Sequence, residues 1–482
     1  MQEGNHFFQD CYATYGLTDN PFAVQALGAD EVGHRLMVGR DDEVHEVAMR
    51  LHKPGKITCL DGHIGVGKTS LVNVATYKCL RAFLENKTGQ LLIPLEESFQ
   101  LSRDEDVNAL CDRVFRKVAN GLLSQREHLG VYRLPVASMN QLDAWLNSPV
   151  VRHLNGAADG SVTLGIPGAS ATVKSSGSQS SQMNTGSGFT QEGFETLVKK
   201  WLNQIFQVQG SGGVVCVIDN LELLETGASA RRTLESLRDR LFNVNGLRWV
   251  FCGANGVIHS LAASNRLGSF LNKPIIDVRN IKTTNIRPLI LARLGQYSTD
   301  VDATIEKLPI RIEDIETLYP IINFNLRELL SCADEYCDTE FRLGRATSDP
   351  AQKARRFGKW LEKSTTDSYN TLSSRMPQDA WVVLDIAMSD MFKGTFGTGN
   401  YGSFNSNSKL TISQPNFLKW LREMVKLELI NKTVDDNAGE DDGFKRDVFS
   451  VTAKGALVHY ARLMKQETRS LAPMTWLKRV HY

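Results

Sequence analysis

Residues 56–70 read KITCLDGHIGVGKTS. Lys56–Leu60 is a short apolar run of strand character. Gly62–Ser70 then completes a G-x-x-x-x-G-K-[ST] loop, and a helical pattern opens near Lys68. Strand, glycine-rich loop and helix in this order form a phosphate cradle. The glycines let backbone N–H groups curl around phosphate oxygens, and a helix N-terminus favours negative charge. At this spacing Lys68 reaches the β- and γ-phosphates, and Thr69 offers its hydroxyl to Mg²⁺. The phosphate-binding candidates are Gly62, Ile64, Gly65, Val66, Gly67, Lys68, Thr69 and Ser70.

A second stretch belongs with the first. Val214–Glu222 reads VVCVIDNLE, a buried-type strand that ends on Asp219. A carboxylate at the end of a neighbouring strand can hold Mg²⁺ through water, which makes Thr69 and Asp219 the candidate metal ligands. The residue after Asp219 is Asn220, and an amide cannot act as a general base. The nearest glutamate, Glu222, can polarise water if the chain turns sharply after Leu221. Otherwise it is a helix-start glutamate. Either way, slow turnover is expected.

Further apolar runs, GQLLIPLEE, LRWVFCGAN and KPIIDV, alternate with helical patterns. Buried strands alternating with amphipathic helices predict an α/β fold, with a parallel sheet covered on both faces. Residues 155–190 turn to Gly, Ser, Ala and Thr and read as a flexible insertion containing a small hairpin. Residues 285–345 are helical in pattern, and 346–377 hold a basic connecting helix. From 378 the pattern is helix, Gly/Asn/Ser-rich loop, long amphipathic helix, strand, acidic loop, strand and helix. This divides the chain into a P-loop core over 1–284, a helical lid over 285–345, a linker helix over 346–377 and a C-terminal unit over 378–482.

The P-loop, the Asp219 strand and two N-terminal segments resemble AAA+ ATPases of the origin-recognition initiator type, and their bacterial relatives, the STAND-like switch ATPases. The resemblance covers roughly residues 12–345, more loosely the C-terminal unit. It implies ATP as the nucleotide, with Mg²⁺. YGLTDNPF (Tyr15–Phe22) and LMVGRDDEV (Leu36–Val44) resemble the segments that cradle adenine, which makes Asn20, Pro21, Phe22, Val38, Gly39 and Arg40 adenine-side candidates. By the same resemblance, Asn255 matches the polar sensor that positions the attacking water, and Arg327 the lid arginine aimed at the γ-phosphate. Arg266 falls where an arginine acts on a neighbour's ATP, in competition with Arg231, Arg232, Arg238 and Arg240. With Lys68, Asp219 and Glu222, these complete the catalytic candidates.

The C-terminal pattern resembles a winged-helix fold. Phe417, Trp420, Leu421, Met424 and Val425 are expected to be buried on its long helix, leaving Lys419, Arg422 and Lys426 outward to meet phosphates. Two features oppose DNA binding. The stretch GTFGTGNYGSFNSNS is a poor helix former where such folds place a helix, and the acidic run DDNAGEDDGFKRD repels phosphate.

Composition narrows the class without deciding the partner. The 482 residues are 42% hydrophobic and 23% charged, ordinary for a globular protein. No apolar run approaches the roughly 18 residues of a membrane span, and the N-terminus lacks the features of a signal peptide. Eight scattered cysteines without a C-x-x-C pair fit reduced thiols in a cytoplasmic protein. Net charge is +1, but residues 351–482 carry 20 Lys and Arg against 14 Asp and Glu, a net +6 that leaves −5 for the rest. Two functions stay open: an ATP-switched homo-oligomer that engages duplex DNA, or a STAND-like switch acting on a protein effector.

Overall fold

A computed structural model describes residues 10–101, 106–125, 191–206, 211–224, 227–254, 256–262, 264–406, 411–435 and 446–470. The expected insertion at 155–190, Asn255 and most of the acidic run between the last two strands lie outside the described residues.

The core is a six-stranded sheet. Its strands are β1 (Thr58–Asp61), β2 (Leu91–Pro94), β3 (Phe99–Gln100), β4 (Gly212–Asp219), β5 (Leu247–Gly253) and β6 (Ile276–Asp277). Every pairing is parallel, the order is β2-β4-β5-β1-β6, and β3 pairs with the far end of β4. One strand, β5, therefore separates β1 from β4. This corrects the expectation that Asp219 ends a strand directly beside the P-loop strand.

Period-2 alternation explains why β4 is apolar throughout. Val214, Cys216 and Ile218 enter one core layer, while Val215 and Val217 enter the other. The first layer is covered by α3 (Val107–Ser124), α4 (Gln191–Ile205), α5 (Gly227–Leu237) and α6 (Val257–Ala262). The second is covered by α1 (Asp41–Leu51) and α2 (Lys68–Leu84). A fully buried Val or Ile contributes about 1.5–3 kcal/mol, so a charge anywhere between Val214 and Ile218 is not tolerated. The fold class is α/β, a parallel sheet covered by helices on both faces.

A second core joins α7 (Ile286–Tyr297), α8 (Ile312–Ile321) and α9 (Leu326–Arg342) to the N-terminal strap through Tyr12, Tyr15, Leu17 and Phe22. The 24-residue helix α10 (Pro350–Ser373) follows. It places Phe357 and Leu361 in that core and Leu372 in a third one.

The third core is built from α11 (Gln378–Ala387), α12 (Tyr401–Ser406), α13 (Gln414–Lys426), α14 (Ala453–Ser470) and the antiparallel sheet β7-β9-β8, with β7 (Thr395–Gly397), β8 (Ile430–Asp435) and β9 (Arg446–Val451). This is a winged-helix-like arrangement, and it corrects the expected bare loop before α13. The stretch forms β7 and the short helix α12. Helix propensity there is poor, but Phe404 is fully buried, with ring centroids 4.8 Å from Phe392, 5.0 Å from Phe417 and 5.1 Å from Phe396. Tertiary packing supplies what propensity does not. On α13, Phe417, Leu421 and Met424 are buried as expected. Trp420 and Val425 are only half-buried, because they lie on the flanks of the stripe. Lys419, Arg422 and Lys426 are exposed.

All eight cysteines are free thiols. Among the described residues no helix is long and apolar enough to cross a membrane.

Candidate functional site

The Gly62–Ser70 loop lies at the C-terminal edge of the sheet, between β1 and α2. Gly65 and Gly67 adopt φ of +84° and +95°, in the left-handed region that glycine tolerates without strain. Gly67 is the N-cap of α2, and no side chain caps that helix. The free N–H groups of its first turn therefore face the loop, as an anion site requires. Lys68 is 7% exposed, and its Nζ donates to the carbonyls of Gly62 and His63 at 2.9 and 3.1 Å. Val66 is buried, Ile64 is exposed, and the Ser70 hydroxyl accepts from the Leu27 N–H at 3.0 Å. Ser70 thereby ties the strap after Phe22 to the first turn of α2.

Across the intervening β5, the Thr69 hydroxyl donates to Asp219 Oδ2. Asp219 is 7% exposed. A hydroxyl and a carboxylate, converging beside a lysine and free N–H groups, are hard oxygen donors of the kind Mg²⁺ takes. The donor set fits that ion.

The chain turns sharply at Asn220, one residue earlier than the sequence condition required. Asn220 has φ +56° and donates its N–H to Asp219 Oδ1 at 2.8 Å. A single 3₁₀ turn, Leu221–Leu224, follows. The turn carries Glu222 back to the sheet edge, where its Oε2 accepts the Ala254 N–H at 3.0 Å. Asn tolerates this conformation far better than a β-branched residue. Asn220→Val is expected to lower stability by about 1–2 kcal/mol, and Asn220→Gly to change it little. Urea midpoints measure both, and equal midpoints for Val and wild type would contradict the turn.

The lid reaches the loop through α9. Arg327 is exposed in its first turn, and its Cβ lies 3.1 Å from where a Gly65 Cβ would stand. Asn325 caps α9 by accepting the Glu328 N–H at 3.2 Å, and its Nδ2 donates to the Ile64 carbonyl at 3.4 Å. The sequence reading missed Asn325, although an Asn three residues before a Glu at a helix start is a capping signal.

The adenine-side candidates form the joint between strap and lid. Asn20 Oδ1 accepts the Phe22 N–H at 2.8 Å, and the Pro21 carbonyl accepts from Arg293 at 3.0 Å. Phe22 is a core side chain of the lid, and Val38 packs against the same core. Gly39 has φ +72°, and a Cβ there would fall 2.1 Å from the Asn285 amide. Arg40 is buried, pairs with Glu43 at 2.9 Å and donates to the Val66 carbonyl at 3.0 Å. Arg40 thus connects the joint to the phosphate loop.

Arg266 is exposed on the turn after α6, far along the chain from the loop, with its N–H bonded to Ser264. Three of its competitors, Arg232, Arg238 and Arg240, are engaged. Arg238 lies over the Phe270 ring, and Arg240 pairs with Glu195 and Asn108.

Asp61, at the root of the loop, was not singled out from the sequence. Its Oδ1 is buried without a hydrogen-bond partner, and Asp277 sits opposite it in register. Burial pushes its carboxyl up to about 6, with Asp277 and Glu222 adding to the effect and His259 and Lys68 opposing it. A raised acid binds its proton more tightly in the folded chain. Stability therefore falls as pH rises from about 4 to about 6, and the loss is complete above that window. Asp61→Asn is expected to raise stability by about 1–3 kcal/mol at pH 7.5 and to change it little below pH 4. Urea unfolding at both pH values tests this, and a gain that is the same at both would contradict it.

The C-terminal unit leans over the cradle. Asn323 Nδ2 donates to the Val451 carbonyl at 2.8 Å. A cleft of about 640 Å³ opens between the P-loop residues His63 and Ile64, the lid residues Asn325 and Glu328, and Lys393 and Lys454 of the C-terminal unit.

No protein-family model matches the chain, and no curated protein matches it. Among solved structures, the Aeropyrum pernix ORC1 protein in complex with DNA is 13% identical, with 90% of this chain and 95% of that one covered and a TM-score of 0.40. The Aeropyrum pernix ORC2 protein is 8% identical over 94% and 98% of the two chains, with a TM-score of 0.44. A Walker-type ATPase of Pyrococcus abyssi is 13% identical over 91% and 99%, with a TM-score of 0.42. Likeness at this level transfers no residue's role and no ligand to this chain.

Proposed function

We propose that the chain is an ATP-binding switch of AAA+ type that hydrolyses ATP slowly, self-associates in its ATP form and engages duplex DNA. The observation that carries the reading is the contact between Thr69 and Asp219, with Lys68 and the uncapped start of α2 beside it. In this reading Lys68 swings from the Gly62 and His63 carbonyls to the β- and γ-phosphates, and Thr69 and Asp219 hold Mg²⁺. The ion, when bound, offsets charge developing on the transferred phosphoryl group. Arg327 approaches the γ-phosphate from the lid, and Arg40, Gly39, Val38, Asn20, Pro21 and Phe22 set the adenine side.

Slow turnover follows from Asn220. The usual position for a base holds an amide, and Glu222 has one oxygen committed to the Ala254 N–H. Glu222 can still order a water through its second oxygen. Self-association is supported by Arg266, an exposed arginine available to a neighbouring copy.

DNA engagement is supported by the basic excess after Ala351 and by the exposed Lys419, Arg422 and Lys426. A second reading, docking of a protein effector, is favoured by Lys426 pairing with Glu423 and Lys419 covering Trp420. Binding to plain duplex DNA at rising salt, with and without ATP, separates the two. Affinity that falls steeply with salt and depends on ATP supports the first reading. Absence of duplex binding at low salt leaves the second.

A further inference from the structure

We propose that the exposed face of α10, built from Arg355, Lys359 and Lys363, is a docking surface for the phosphate backbone of duplex DNA. The inference rests on the DNA-engaging reading above and adds a surface outside the winged-helix-like unit.

The spacing comes first. The three cations recur every fourth residue and are all exposed. At about 1.5 Å rise per residue they form one row about 12 Å long. Successive phosphates of one DNA strand advance about 3.4 Å along the duplex axis, so the row spans three to four of them. No ion pair joins these side chains to an acid among the described residues. Two further arginines lie beside the row. The buried Glu340 is shared by Arg345 and Arg356, both at 3.5 Å, so this group is net positive. Glu362 and Asp367 are the exposed acids on the helix nearby.

Gly358 is the second observation. It is exposed inside a regular helix, between Arg355 and Lys359, where glycine is disfavoured relative to alanine. A Cβ there would meet nothing within 4 Å, so no internal packing demands glycine. Its effect is to let a partner approach the helix backbone between two cations.

The third observation is how α10 is held. Lys353 donates to the Ile305 and Glu306 carbonyls at 3.2 and 2.6 Å, Phe357 and Leu361 anchor the lid core, and Leu372 anchors the C-terminal core. The row therefore stands on a rigid strut between the two units, and a duplex lying on it is fixed relative to both.

The chemistry of the face excludes other polyanions. Membrane surfaces select helices with large apolar residues opposite the cations, but the opposite side of α10 is occupied by the protein's own cores. Single strands are bound by stacking on exposed aromatics, and the outward positions 351, 352, 355, 358, 359, 362 and 363 carry none.

The test uses the full chain and a labelled 30-base-pair duplex, titrated from about 50 to 200 mM salt with ATP present. The triple variant Arg355→Gln/Lys359→Gln/Lys363→Gln removes up to three phosphate contacts. The slope of log affinity against log salt is expected to flatten by about 2.7, and affinity at about 0.1 M salt to fall on the order of 10²-fold. ATP binding and the thermal midpoint are expected to stay as in the wild type. Gly358→Glu, which adds an acid without changing any packed group, is expected to weaken binding at least about tenfold and decides the matter if the triple variant misfolds. A wild-type chain that does not bind duplex overturns both this surface and the DNA-engaging reading. A wild type that binds, with both variants keeping its affinity and salt slope, overturns the surface alone. Displacement of the duplex by an equal concentration of single strand overturns the duplex assignment.

Discussion

Lys68→Ala is expected to weaken ATP binding by about 10²–10⁴-fold. In the proposed complex the ammonium would make charge-assisted hydrogen bonds to two phosphates, each worth about 1.5–3 kcal/mol, and every 1.4 kcal/mol is a factor of ten. The structure adds a structural cost. Lys68 is 7% exposed and satisfies the Gly62 and His63 carbonyls. Removing it leaves acceptors short of a donor at a buried position, so stability falls by about 1–3 kcal/mol. That is a small part of what the sheet's two apolar layers supply, and the fold survives. Calorimetric titration with ATP at a temperature well below the variant's midpoint separates the two effects. Wild-type affinity in a folded variant would remove the phosphate-binding assignment, and with it the proposed function.

The strand-loop-helix geometry was legible from residues 56–70 because its backbone dictates residue types. Glycine reaches φ of +84° and +95° without strain, and the lysine at that spacing returns its ammonium to the loop carbonyls. The two-sided sheet was legible in β4, where unbroken apolar residues left no polar face. What escaped the reading depends on contacts far apart in sequence. The order of β1, β5 and β4 is set by crossover connections that leave no mark in any one strand. At the turn Asn220 donates its N–H to the Asp219 carboxylate, and Glu222 is held by the N–H of Ala254, 32 residues beyond it. The helix α12 exists because Phe404 meets three other rings. Asp61 drew no notice in the sequence, and only the packing of α6 and β6 around it shows a buried carboxyl. Lys353 counted as one more cation of a basic helix, whereas it is buried with its ammonium on two carbonyls.

Glu222→Gln is expected to lower phosphate release at least about 10²-fold while leaving ATP affinity unchanged, since general-base assistance contributes about 10²–10⁴. Glutamine keeps the shape, and its amide oxygen can still accept the Ala254 N–H, so the 3₁₀ turn stays in place. Only the second oxygen changes character, from a carboxylate able to take a proton to an amide that is not. The variant therefore separates a water-polarising Glu222 from one that merely pins the end of β5. If Glu222 only pins the strand, Glu222→Gln turns over like wild type, and Glu222→Ala loses stability because the Ala254 N–H loses its acceptor. The same variant also tests the switch. A chain that binds ATP but cannot cleave it is expected to accumulate as the ATP-bound oligomer. Arg266→Ala is expected to act oppositely on assembly, weakening the oligomer and lowering turnover by at least about tenfold, because an arginine inserted from a neighbour stabilises transition-state charge. Light scattering with ATP, ADP and no nucleotide, alongside phosphate release, reads both quantities. Glu222→Gln enlarged by ATP and Arg266→Ala dissociated by comparison would couple hydrolysis to assembly. A monomer in every nucleotide state, with turnover unchanged in both variants, would dismiss the switch and both residue roles while leaving ATP binding at Lys68 untouched.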